Sequence, residues 1–141
     1  MPDSRRAGFT LTELVIVVAI IGILSAVAAT KYGEAMRHAD EGALLGDLGA
    51  IRSALHIYYS DCDGAYPTDL SALAANSRRI NALPAALVPP YHTASAAVKN
   101  GSSADDAGGW VYNNASGDSN FGSLLINCTH TDSKGRTWSA Y

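Results

Sequence analysis

From Leu14 to Ala29 this 141-residue chain carries no charged side chain at all. Charge is thin elsewhere too, with 16% charged residues, a net charge of -3, and adjacent basic pairs only at Arg5-Arg6 and Arg78-Arg79. Nucleic-acid binders show a clustered basic footprint, and without one nucleic acid is not a default partner. Cysteine is scarce: Cys62 and Cys128 stand alone, without the C-x-x-C pairing of zinc sites. His38, His56, His92 and His130 lack the two-residue or four-residue spacing of a local metal motif. No catalytic constellation is visible, so the chain does not read as an enzyme, and no cofactor or bound metal is expected. The nearest approach to a cation site is oxygen-rich: Asp61 with Asp63, and Asn113, Asn114, Asp118 and Asn120 around a glycine turn. Turns use the same residue types for conformational reasons alone, which is the plainer reading.

What is present begins with the uncharged run itself. With Phe9 to Leu11 included it reaches roughly the 20 residues that cross a bilayer core. Three readings compete. One is a secretory signal peptide, with Arg5 and Arg6 as its charged start and Ala26-Val27-Ala28 as a cleavage site. Another is a plain membrane anchor. Both leave Glu13 unexplained, because an acid inside such a run is disfavoured by about 2.5–3.5 kcal/mol at the centre and less near an end. The third reading supplies a partner: a cut between Gly8 and Phe9 creates an α-amino group at Phe9, four residues from Glu13. Four residues of helix span roughly 6 Å, so the two charges can pair within one chain or between staggered neighbours.

The stretch RRAGFTLTELVIVVAIIGIL resembles the class III leader of type IV pilins and type II secretion pseudopilins. The matching parts are a short basic leader ending in Gly8, then Phe9-Thr10-Leu11, Glu13-Leu14 and an unbroken apolar helix. The resemblance implies that a prepilin peptidase cuts after Gly8 and methylates the Phe9 amine, and that Glu13 docks an incoming subunit on its neighbour's Phe9. Two departures stand out: Thr12 replaces a more usual aliphatic residue, and Thr30 stands where the family usually carries a proline. Without that proline the helix keeps its N–H and loses the cause of a kink.

Beyond Lys31 the pattern becomes one-sided. Leu44, Leu48, Ile51, Leu55 and Tyr58 recur at intervals of four and three, which draws a single helical stripe. A helix from Phe9 to about Ser60 is predicted, ended by Asp61, Asp63 and Gly64, with Pro67 fixing the turn and Thr68 capping a short helix through Leu73. A second short helix is predicted from Pro84, and an exposed loop over residues 92–109. GWVYNN, SNFGSLLINC and RTWSAY read as three strands of an antiparallel meander that buries Leu124, Ile126 and Cys128, with Trp110 and Trp138 at its edges. The fold class is therefore α+β: a long N-terminal helix, half membrane stem and half amphipathic, packed on a small three-stranded sheet. The organisation is leader 1–8, transmembrane and assembly helix 9–30, and amphipathic helix half with globular head 31–141. Export places Cys62 and Cys128 in an oxidising compartment, where a bridge between them contributes about 4 kcal/mol on the chain-entropy model; two buried thiols are the alternative.

These features imply a structural subunit of a type IV pilus-like filament, polymerised through its N-terminal helix. Its implied partners are other copies of itself or a mixed filament, the prepilin peptidase, and an inner-membrane assembly platform with its ATPase. It would sit in the bacterial inner membrane as a precursor and then in an extracellular pilus. The alternative within the class is a type II secretion pseudopilin in a periplasmic pseudopilus, against which counts the absence, in residues 121–141, of the acidic pattern of the major pseudopilins' calcium loop. Outside the class stands a secreted enzyme or binding domain behind an ordinary signal peptide.

Overall fold

The computed structural model describes residues 8–75 and 79–141. The predicted basic leader, with Arg5 and Arg6, lies outside the described residues except for Gly8. So does Arg78, one member of the second basic pair. The chain divides into two compact units, Met1–Met36 and Arg37–Tyr141. Helix α1 covers Leu11–Asp61, within two residues of the predicted span.

In the first unit, every residue from Gly8 to Met36 is exposed, large apolar side chains included. No proline interrupts this part of the helix, and at Thr30 the hydroxyl donates to the Val27 carbonyl (2.9 Å) while the helix continues.

The second unit is built on the amphipathic stripe. Leu44, Leu48, Ile51 and Leu55 are buried as predicted, Ala54 joins them, and Tyr58 packs partly buried against the same core. Each such aliphatic side chain contributes about 1.5–3 kcal/mol on burial. The helix stops where expected: Asp63 (φ 52°) and Gly64 (φ 84°) turn left-handed, and the Gly64 N–H reaches back to the Tyr59 carbonyl at 3.0 Å. Leu70–Leu73 then form a 3-10 turn, but Asp69 caps it in place of Thr68, accepting from the Ser71 N–H at 2.7 Å.

Five short strands follow: β1 Ala86–Val88, β2 His92–Ser95, β3 Val98–Asn100, β4 Trp110–Tyr112 and β5 Leu124–Ile126. β1 and β2 make an antiparallel pair, with a cis Pro89–Pro90 bond between them. The second sheet has the order β3-β4-β5, with β4 antiparallel to β5 and parallel to β3.

Several expectations are corrected here. The segment from Pro84 holds a strand instead of a helix, since Ala86 and Val88 alternate inward with Leu87 outward, a two-residue period. Residues 92–109 are not simply an exposed loop: β2 and β3 lie within them, and β3 takes the third place in the sheet that RTWSAY was predicted to fill. Instead, Trp138–Ala140 form a 3-10 turn. Trp110 and Trp138 are wholly buried, not at the edges. The Trp110 indole N–H donates to the Pro84 carbonyl at 2.8 Å, so burial leaves no orphaned donor there. Leu124, Ile126 and Cys128 are buried as predicted.

The parallel β3–β4 pair depends on Gly109. Its φ of 79° is left-handed, and a Cβ there would lie 2.3 Å from the Ala97 carbonyl oxygen, the same oxygen that accepts from the Trp110 N–H at 2.8 Å. Arg52 clamps helix to sheet and terminus by donating to the carbonyls of Leu124 (2.8 Å) and Tyr141 (2.5 Å).

The predicted bridge is also corrected, because Cys62 and Cys128 are both free thiols. Cys62 sits at the end of α1 in a shallow cleft with Ile57, Asp61 and Arg79, whereas Cys128 is buried beyond β5 with His130 at 3.5 Å. Their neighbours differ because the sheet presents Cys128 to β2 and the 101–109 loop, not to the helix end. Burial pushes the Cys128 thiol up to about 11, which keeps the free thiol protonated at neutral pH.

Two outcomes follow for the head. Gly109→Ala must move the β3–β4 junction and lower the thermal midpoint, with a loss of more than about 1 kcal/mol; an unchanged melt contradicts the close approach. Cys62→Ser leaves the melting curve unchanged, and alkylation under non-reducing, denaturing conditions finds two free thiols per chain.

Candidate functional site: the start of the long helix

The first residues of α1 explain how the helix starts. Thr10 is followed three residues later by Glu13, the spacing of a capping box. The Thr10 N–H and hydroxyl both donate to the Glu13 carboxylate (2.9 and 2.7 Å), and the Glu13 N–H returns to the Thr10 hydroxyl oxygen at 3.3 Å. Orphan N–H groups at a helix start are thereby satisfied, a service worth about 0.5–2 kcal/mol. The T-x-x-E spacing of Thr10 and Glu13 is the sequence signal of this role, which the charge of Glu13 alone does not reveal.

Phe9 lies just outside the helix, 79% exposed, and Gly8 precedes it, also exposed. The scissile bond implied by the leader is thus open to an enzyme from the chain's own side. Phe9 and Glu13 flank the Thr10 cap, so an amine created at Phe9 would arise one residue from groups already bonded to that carboxylate. The Thr10 bonds are already charge-assisted on the carboxylate side, and an ammonium adds a full opposite charge, so Coulomb attraction lets it compete with Thr10 for Glu13. Behind this polar cap, Leu14, Ile16, Ile21, Ile23 and Leu24 are each more than half exposed. An apolar surface of this extent exceeds what monomeric soluble proteins leave open and marks a face for lipid or for other protein.

The oxygen-rich loops are accounted for by turn chemistry. Asp118 accepts from the Asn120 N–H and the Asn113 side-chain amide, both at 2.9 Å, and Asp61 pairs with Arg79 at 2.6 Å. One group escaped the sequence altogether. His92, Asp106, Cys128 and His130, from three separate segments, bring their ligand atoms within 4.8 Å of one another. The only local signal was the C-x-H spacing of Cys128 and His130.

Residues 3–29 match the prokaryotic N-terminal methylation motif. Among the chain's relatives is fimbrial protein EcpC of Eikenella corrodens, 39% identical over 51% of this chain and 46% of the relative. Type IV major fimbrial protein FimA of Dichelobacter nodosus is 41% identical over 52% of this chain and 47% of FimA. Type II secretion system core protein G of Aeromonas hydrophila is 32% identical over 60% of this chain and 58% of that protein. The chain thus spans about half the length of the curated fimbrial relatives it matches. No solved structure matches it.

Thr10→Ala removes the hydroxyl side of the cap; in detergent micelles, amide exchange over residues 11–14 rises by roughly fivefold for a loss of about 1 kcal/mol, with the rest of α1 unaffected. In the head, hydrogen bonds from the Ser71 side chain and backbone hold the Asp69 carboxyl below its ordinary range. The Asn120 N–H, then the Asn113 amide, does the same for Asp118. With folded values lowered, their stabilisation is complete above the unfolded carboxyl range near pH 3.9 and fades as the pH falls through the lowered values. A thermal midpoint that is flat above about pH 5 and drops below about pH 4 is the expected titration.

Proposed function

We propose that the chain is a subunit of a type IV pilus-like filament, cut after Gly8 by prepilin peptidase, methylated at Phe9 and polymerised through residues 9–30. The observation that carries this reading is an exposed apolar helix at a methylation motif, in which Glu13 is the only acid between Phe9 and Thr30 and lies four residues from the new amine. Before assembly the stem lies in the inner membrane; in the fibre, neighbouring stems replace lipid. Glu13 of an incoming subunit meets the Phe9 ammonium of a subunit already in place and sets the stagger between them. The contact is head-to-tail and does not close, so repetition yields an open helical fibre. The remaining partners are the assembly platform and its ATPase, which supplies the work of lifting the stem out of lipid. Residues 31–141 present the surface on which any adhesive or other specialised role would be placed.

A second reading, a subunit of a periplasmic secretion pseudopilus, is favoured by one observation: the type II secretion protein named above is matched over 58% of its length, against 46% and 47% for the two fimbrial proteins. Electron microscopy of sheared surface material, from cells with and without the chain, separates the two. Surface fibres that vanish with the chain support the pilus; unchanged fibres with lost protein export support the pseudopilus.

Glu13→Ala should leave membrane insertion and leader cleavage intact yet reduce fibres to background, because an unpartnered charge in the packed stem costs about 3–5 kcal/mol. Immunoblots of membrane and sheared fractions read this out, and normal fibre yield would contradict the charge pair.

A further inference from the structure

We propose that His92, Asp106, Cys128 and His130 form a zinc site that cross-links three segments of the head. The inference is independent of the filament reading. His92 opens β2, Asp106 lies in the 101–109 connection, and Cys128 and His130 follow β5. His92 Nε2 is 3.2 Å and His130 Nδ1 is 3.1 Å from Asp106 Oδ1, while Cys128 Sγ is 3.5 Å from His130 Nδ1. Zinc bonds of about 2.0–2.2 Å to nitrogen and oxygen and 2.3 Å to sulfur give tetrahedral edges of roughly 3.3–3.6 Å, so these three of the six edges are already near the required length, and all four atoms lie within 4.8 Å of one another.

Hydrogen bonding alone serves this cluster poorly. Asp106 Oδ1 already accepts from the Thr129 N–H at 2.8 Å, and both imidazoles converge on that same oxygen. One carboxylate oxygen offers two lone pairs, so the three nitrogens compete for them. A cation among the ring nitrogens, the sulfur and the carboxylate gives each a bond of its own.

Two imidazoles, a thiolate and a carboxylate are a borderline-soft donor set, which suits zinc and is wrong for calcium or magnesium, whose sites are built of oxygen. The surroundings hold the donors in place. Tyr91 stacks on His130 with centroids 4.0 Å apart and planes 11° apart, and the Thr129 N–H orients the Asp106 carboxylate. Asp106 itself is left-handed (φ 67°), a conformation uncommon for a residue with a side chain and found preferentially at functional positions. Gly108 supplies the room: a Cβ there would sit 3.3 Å from His92 Cβ. Sulfur is buried while the other donors are half-buried, so an ion can enter from solvent. Binding would expel the Cys128 proton and fasten β2 and the 101–109 connection to the segment after β5, a cross-link using one cysteine where a disulfide needs two.

The test uses the full chain, tag-free, in detergent micelles after chelator treatment, titrated with cobalt(II) and then zinc(II). One equivalent of cobalt should give the intense visible bands of a tetrahedral ion with a near-ultraviolet thiolate-to-cobalt band, all abolished by one equivalent of zinc, and zinc should raise the thermal midpoint. His92→Ala and Asp106→Asn, each checked for fold by circular dichroism, should weaken zinc at least about tenfold. Cys128→Ser should remove the thiolate band, and His56→Ala, outside the cluster, should change nothing. Absence of tetrahedral cobalt bands in the folded wild type, or zinc affinity unchanged in folded His92→Ala, overturns the proposal.

Discussion

Residues 9 to 36 display an apolar helical surface that nothing among the described residues covers, and the rest of the molecule's logic follows from that exposure. A helix of Leu, Ile and Val side chains in water forfeits about 25 cal/mol for each Å² left wet, so this segment is at rest only in lipid or against other stems. The polar groups at its start must then be satisfied locally, and the Thr10–Glu13 box satisfies them in the uncut chain. Cleavage would change the terms by placing an ammonium four residues from that carboxylate. On the proposed reading, a local cap and an intersubunit register mark would be two uses of one side chain, separated by a proteolytic event.

The second unit answers a different need, which is to cover the apolar stripe of the amphipathic half of α1. Its core is a helix stripe, three strands and two tryptophans, and long-range polar ties hold it at the edges. Arg52 reaches the Leu124 and Tyr141 carbonyls, and the buried Glu41 accepts from the Ser133 backbone and hydroxyl, with Arg37 3.6 Å away. No covalent bridge contributes, and a metal cross-link at Cys128 would stiffen the side of the head farthest in sequence from the stem. Stem and head thus draw on separate forces, apolar association for one and packed core with polar clasps for the other.

Which parts could be read from residues alone depends on how local their causes are. The stripe from Leu44 to Leu55 was legible because a helix repeats its pattern over many turns, and its end at Asp63-Gly64 because left-handed φ values are local chemistry. β4 and β5 were legible from their β-prone side chains. β1 to β3 were not, because three- or four-residue strands show hardly one period, and β3 exists by virtue of a contact with β4 that Gly109 permits. RTWSAY looked like a strand since aromatic and β-branched residues favour both outcomes; burial of Trp138 decides for the 3-10 turn. The cysteine pairing failed for a related reason: two cysteines in a chain give a count and no distance. At the stem, the motif around Phe9 and Glu13 and the Thr10–Glu13 capping box are both local, and the same glutamate serves in each. The His92, Asp106, Cys128, His130 cluster lay beyond sequence logic, being assembled by the fold from three segments.

The account rests on the chain keeping its apolar helix while exchanging its leader for a charged amine. Intact-mass and amino-terminal peptide mass spectrometry of the chain from its native membranes tests this most directly. The account predicts a mature polypeptide that begins at Phe9, carries a methyl group on that nitrogen and retains residues 9–30. A chain that keeps residues 1–8, or one that starts near Ala29 with the helix removed, contradicts it.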